Sequence, residues 1–186
     1  MFLRDNRKTG EYSPDELLSR LLKSYSVYYD VEPVTETGAG ILAARCEFRL
    51  RQEKSPFPMS KRMLYAYDSF EYAYVFKTEV LEKDMAESCV EMALKEGLPR
   101  IHPSKEHRCS CVTAIFLCGS ASQEARRFLK RKRVHKDYNF SLHGWMDLQT
   151  ALVEAEGMRI TTNAAGRMNA KNLRAVYSHP VPGPGR

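Results

Sequence analysis

The sequence predicts an α+β domain whose mixed β-sheet is flanked by helices. Three observations carry that reading. Stretches of helical and of strand periodicity follow one another in the order αβββαβαββα. The segment 109–118 is almost wholly apolar, as a central strand covered on both faces would be. Neither an internal repeat nor a long linker divides the 186 residues, a length that suits one domain. The expected organisation is a flexible arm at 1–12, a single domain at 13–177 and a flexible tail at 178–186.

Each element has a local reason. Ser13-Pro14-Asp15-Glu16 starts a helix: the Ser13 hydroxyl caps it, Pro14 fits its first turn and Glu16 completes a capping box. Leu17, Leu18, Leu21 and Leu22 then share one face, so the helix runs to about Ser24. Residues 25–35 read as a strand and Thr37-Gly38-Ala39-Gly40 as a turn. A second strand spans 41–51, where Cys46, Phe48 and Leu50 alternate with Glu47, Arg49 and Arg51. Ser55-Pro56-Phe57-Pro58 ends it, and a third strand over 63–76 sets Phe70, Tyr72, Tyr74 and Phe76 on one face. Residues 79–96 form a helix with the apolar stripe Leu81, Met85, Cys89, Met92 and Ala93, stopped by Gly97 and Leu98-Pro99. After the strand at 109–118, Gly119-Ser120 leads into a helix over 121–134, with Ser120 and Gln123 as a second capping box. The next strand is expected from Tyr138, with Tyr138, Phe140, Leu142, Gly144 and Met146 alternating with Asn139, Ser141, His143, Trp145 and Asp147. Residues 148–155 extend it in preference to a short helix, Glu156-Gly157 turns a hairpin into 158–162, and a helix at 167–177 closes the domain.

Charge is unevenly distributed. The chain carries a net charge of +6, yet residues 1–96 hold 14 Lys and Arg against 17 Asp and Glu, and residues 97–186 hold 15 against 6. That asymmetry points to an anionic partner, with a well-solvated face as the alternative. No signal peptide and no apolar run long enough to cross a bilayer is present, so the expected location is the cytoplasm, without a membrane partner. Cys46, Cys89, Cys109, Cys111 and Cys118 form an odd set in mostly apolar surroundings, which reads as reduced thiols.

The first six elements follow the αβββαβ order of restriction-endonuclease-like folds, an order that does not fix function. His102-Pro103-Ser104-Lys105-Glu106-His107 with the strand after it, Leu142-His143-Gly144-Trp145, and Thr161-Thr162-Asn163-Ala164-Ala165-Gly166-Arg167 together resemble a family of uncharacterised bacterial and archaeal proteins, over about 12–177. The resemblance implies one domain end to end and no activity.

Five groups invite chemistry. In 121–134, Arg126, Arg127, Lys130, Arg131, Lys132 and Arg133 place six cations within eight residues. Ala125, Phe128 and Leu129 are expected to face the core and the cations water, a surface suited to phosphate; the alternative is a solvated face that favours the helix dipole. His102, His107, Cys109 and Cys111 form a conceivable zinc set, with His107, Cys109 and Cys111 on one strand face. Against it stands the Cys-x-Cys spacing, so buried structural thiols are the stronger reading and no metal is expected. For an Mg²⁺-dependent nuclease, Glu47, Asp68 and Glu71 are the candidate carboxylates and Lys77, or Lys54, the lysine, although no acid-x-Lys tripeptide occurs. Tyr25, Tyr28, Tyr29, Tyr65, Tyr67, Phe70, Tyr72, Tyr74 and Phe76 offer stacking surfaces but are expected mainly in the core. Ser141, His143 and Asp147 suggest a triad, yet neighbours two apart on a strand stand about 6–7 Å from each other, out of proton-transfer reach; core packing or a bulge at Gly144 is the expectation.

The reading is a non-catalytic protein that binds nucleic acid or another polyanion and needs no cofactor. Its alternatives are a metal-dependent nuclease, which would need Mg²⁺, and a protein-interaction or regulatory module.

Overall fold

The computed structural model describes residues 12–35, 41–54 and 65–178, with backbone alone at 52–54 and 65–67. The expected turn at 37–40, the stop at 55–58 and all but the ends of the expected arm and tail lie outside the described residues, as do the side chains of Lys54, Tyr65 and Tyr67. Four helices and seven strands follow in order: α1 (Pro14–Tyr25), β1 (Asp30–Pro33), β2 (Leu42–Lys54), β3 (Tyr65–Leu81), α2 (Lys83–Gly97), β4 (His107–Ala121), α3 (Gln123–Arg131), β5 (His135–Asp137), β6 (Trp145–Glu154), β7 (Arg159–Thr162) and α4 (Arg167–Ser178).

The strands form one mixed sheet in the order β1-β2-β3-β4-β6-β5, with β7 also on β6. β1, β2 and β3 are antiparallel neighbours. β3, β4 and β6 run parallel, and the chain passes between them through α2 and then α3. β5 and β7 pair antiparallel with the two ends of β6, at 145–147 and 151–154.

Two cores flank this sheet. On one face Tyr74, Phe76, Val112, Phe116 and Leu148 pack beneath α2 and α3, which contribute Val90, Ala125 and Leu129. On the other, Val75, Ile115, Leu117 and Val153 pack beneath α1 and α4, which contribute Leu17, Leu21, Leu173 and Tyr177. β4, between the two, is buried from Val112 to Cys118, so its nearly continuous apolar run is the consequence of cover on both faces. Among the described residues no helix is long and apolar enough to cross a membrane.

Local chemistry sets several boundaries. The Ser13 hydroxyl accepts from Glu16 N–H and the Glu16 carboxylate accepts from Ser13 N–H, the capping box expected for α1. That helix continues to Tyr25, so the expected strand at 25–35 shrinks to four residues. The cap of α3 is Ser122, whose hydroxyl accepts from Ala125 N–H at 3.3 Å, and Ser120 belongs to β4. The sequence pointed to Ser120 with Gln123 instead; pairing of β4 with β3 as far as Ala121 excludes that cap.

The strand expected from Tyr138 starts at Trp145 instead. Residues 139–141 have φ of 49°, 52° and 62°, a left-handed conformation costing about 1–2 kcal/mol at each non-glycine residue. What enforces it is a tight closure: Tyr138 N–H donates to the Gly144 carbonyl at 3.0 Å, and His143 N–H to the Tyr138 carbonyl at 3.1 Å.

Candidate nucleic-acid interface

The basic run divides according to its environment. Arg126 is half-buried, and its guanidinium grips the buried Glu154 of β6 through contacts of 2.6–3.0 Å. That bidentate pair fastens α3 to the sheet and takes Arg126 out of the surface patch. Arg127, Lys130, Arg131 and Arg133 are exposed, and Lys132 is half-buried with its Nζ 5.5 Å from the centre of the Phe128 ring. Among the described residues no carboxylate pairs with any of these five.

Helical geometry explains the division. Ala125 and Leu129, four apart, are fully buried, Arg126 and Phe128 flank that face and are half-buried, and Arg127 projects into solvent. A hollow of about 460 Å³ opens over α3, lined by Lys83, Glu124, Arg127, Phe128, Arg131 and Lys132. Phe128, expected to face the core, packs against it while half-buried and also lends its ring to this hollow. Lys83 comes from the first turn of α2 and pairs with Glu87 at 3.2 Å. Nothing in the local sequence around Lys83 signals its arrival here, since the packing of α2 beside α3 creates the neighbourhood. Arg133 leaves this group and lines a second hollow of about 300 Å³ with His135, Asp147 and Asn163.

The proposed zinc set does not converge. β4 carries a bulge at its start: Asp68 is paired with His107 and Ser69 with Cys109, leaving Arg108 as the extra residue. The bulge turns His107 to the α2/α3 face, against Phe70 and Tyr138, while Cys109 and Cys111 face the other way. His107 is buried with both nitrogens used: Nδ1–H donates to the His143 carbonyl at 2.7 Å and Nε2 accepts from the Ser110 hydroxyl at 2.8 Å. The Cys111 thiol is pushed up to about 12, by burial and then by the charge of Glu71, so it is not a ready thiolate. His102 is exposed on the loop before β4. Among the described residues no three His, Cys, Asp or Glu side chains are grouped to hold a metal.

The nuclease candidates fall on opposite faces. Glu47 and Asp68 lie on the α2 side, four strand positions apart when Glu47 is projected onto its partner Tyr72, or about 13 Å. Each is engaged, Glu47 with Arg100, and Asp68 with Arg49 at 3.0 Å and Arg51 at 3.6 Å. Glu71 lies on the α1/α4 side and accepts from the hydroxyls of Tyr29 and Thr113, both at 2.7 Å. Lys77 shares that face but pairs with Asp15 of α1, six residues and about 20 Å along the strand.

The aromatic group is mostly structural. Tyr25 stacks on Tyr29 at 4.3 Å between ring centres, Phe70 lies beside Tyr72 and Phe76 packs on Phe116. Tyr72, Tyr74 and Phe76 are buried, and Tyr28 is exposed. Ser141, His143 and Asp147 share no strand face. Ser141 bonds Asp137, and Asp147 bonds His135 Nδ1 at 2.8 Å. Asp137 meets Nε2 of the same ring at 3.1 Å. His135 thus sits between two carboxylates, a cluster that sequence reading missed because β5 is three exposed residues with no apolar pattern.

A sequence family described as a domain of unknown function matches residues 13–175. No curated protein matches the chain, and no solved structure matches it.

Proposed function

The chain belongs to the family DUF8052, a domain of unknown function, and from its own surface we propose that it is a non-catalytic binder of nucleic acid, or a related polyanion, held through α3. The observation that supports this reading is the set Arg127, Lys130, Arg131, Lys132 and Arg133. These cations have no carboxylate partner among the described residues, although Arg126 in the same run is neutralised by Glu154. Concentrated cations left unpaired repel one another, and a phosphate backbone relieves that repulsion while releasing condensed counterions. Phe128 adds an apolar floor between Arg127, Arg131 and Lys132. The splitting of Glu47 and Asp68 from Glu71 and Lys77 favours binding over cleavage.

A salt titration with labelled oligonucleotides tests the reading. Binding should be measurable at low salt and fall steeply as salt rises, by about 0.7–0.9 in logarithmic slope per phosphate contact. Arg127→Glu with Arg131→Glu should weaken binding at least about tenfold and flatten that slope. Absent binding, or unchanged binding by the double variant, removes the proposal. Adding Mg²⁺ or Mn²⁺ to the same samples addresses the nuclease alternative, which requires cleavage that Glu47→Ala or Asp68→Ala abolishes. A stable protein partner in pull-downs, with no oligonucleotide bound, would instead favour the interaction-module alternative.

A further inference from the structure

Residues 138–144 combine backbone strain with an apolar display. Three consecutive non-glycine residues, Asn139, Phe140 and Ser141, hold left-handed φ values, which bulky side chains avoid. The loop is nonetheless pinned. Its mouth is closed by the Tyr138–Gly144 and His143–Tyr138 backbone bonds, the Ser141 hydroxyl is held by Asp137, and the His143 carbonyl accepts from the buried His107 ring. On this fixed backbone Phe140 is 95% exposed and Leu142 71% exposed. A loop that only reversed the chain would be expected to carry polar or glycine residues there. Strain kept in place beneath an exposed aromatic tip points to a partner.

The surroundings select the partner's chemistry. The cationic run 127–133 feeds directly into β5, where Lys136 stands at the root of the loop with its Nζ 5.4 Å from the Tyr138 ring centre. The exposed Arg108 sits where β4 abuts Gly144. Asp137, the acid at the same root, is already engaged by Ser141 and His135. An exposed aromatic ring that follows a run of exposed cations along the chain, with Lys136 between them, matches a strand whose phosphates meet the cations and whose unpaired bases can stack. We propose that the 138–144 loop is a base-stacking element, with Phe140 as the platform and Leu142 as its apolar flank, and that the partner is single-stranded nucleic acid. The proposal rests on the reading of α3 as the phosphate-contacting surface.

Fluorescence anisotropy with a labelled 20-nucleotide oligo(dT) and a duplex of equal length tests it on three proteins: wild type, Phe140→Asn, and Arg127→Glu with Arg131→Glu. Asparagine tolerates the left-handed backbone and removes the ring. Oligo(dT) should bind more tightly than the duplex. Phe140→Asn should weaken oligo(dT) binding at least about fivefold, the worth of one stacked base, while its salt slope and thermal midpoint stay those of wild type. The double charge reversal should flatten the slope. Equal affinity for duplex and single strand, or undiminished binding by Phe140→Asn, overturns the stacking proposal and leaves α3 as a phosphate surface. No binding of either probe by wild type overturns both. Binding to anionic phospholipid vesicles that Phe140→Asn abolishes, with oligo(dT) affinity unaffected, assigns the loop to a membrane surface and overturns it as well.

Discussion

Two short connections, 138–144 before β6 and 163–166 before α4, are held by comparable numbers of hydrogen bonds and put them to opposite uses. In 163–166 the bonds converge on one buried side chain. Asn163 is 1% exposed; its Nδ2 donates to the carbonyls of Lys132 and Leu148, and its Oδ1 accepts from the N–H groups of Thr150 and Gly166. Every donor and acceptor of the amide is used, and the end of α3, the middle of β6 and the start of α4 are joined at one point. In 138–144 the bonds run mostly through the backbone, and the apolar side chains are turned outward. A segment whose side chain is the hub is structural. One whose backbone is fixed so that side chains project is built for display.

The largest effects should come from attacking the two anchors. Asn163→Ala leaves two buried donors and two buried acceptors without the amide, so unfolding free energy should fall by about 3–5 kcal/mol. Urea denaturation measures it, and a loss below about 1 kcal/mol would mean that water or neighbouring groups replace the hub. Gly144 anchors the display loop from below. Its φ is +77°, and a Cβ there would lie 2.6 Å from His107 Nδ1 and 2.7 Å from the His107 carbonyl oxygen. Gly144→Ala should therefore cost about 2–4 kcal/mol, from overpacking added to backbone strain. Gly157 has a similar φ of +70° with open space around it, so Gly157→Ala should cost only about 1 kcal/mol. Equal costs at the two glycines would show that conformation, and not the close approach to β4, makes Gly144 necessary.

The same contrast explains what was legible in the sequence. The capping box at Ser13, the stop at Gly97 and the apolar run of β4 are local signals, and the structure carries all three. The hairpin at Glu156-Gly157 was also legible, since strand periodicity resumes on both sides of a glycine. Residues 138–144 show genuine period-two alternation, yet their shape is set by His107, 36 residues away, and by Gly144 packing on β4. The facing of His107 depends on a bulge fixed by pairing with β3, which no pattern within β4 records. Likewise the cations of 126–133 were countable, but adjacent arginines diverge because Glu154 meets Arg126 and leaves Arg127 to solvent. Long-range partners decide which members of a legible cluster are available.

The smallest effect is pH-dependent and concerns the hinge between β5 and the display loop. His135 places Nδ1 against Asp147 and Nε2 against Asp137, and only the imidazolium donates at both nitrogens. The bond to Asp147 holds the ring above its ordinary value of 6.5 against desolvation, the next-largest influence, with further support from the charge of Asp147 and from Asp137. Because the folded value is raised, the contribution is fully present below 6.5 and is lost as pH rises through the higher folded value. Half-exposed and screened by salt, the pair contributes modestly. Unfolding midpoints of wild type should therefore decline above pH 6.5 more than those of His135→Asn, and the difference should shrink at high salt. Parallel curves would show that the clasp does not hold β5. Since Asp137 also bonds Ser141, its release should speed hydrogen exchange at the His143 and Gly144 amides relative to that of Gly166, which hangs on Asn163. Exchange that accelerates equally in both connections would break the distinction between them, because the display loop would then open only with the whole fold.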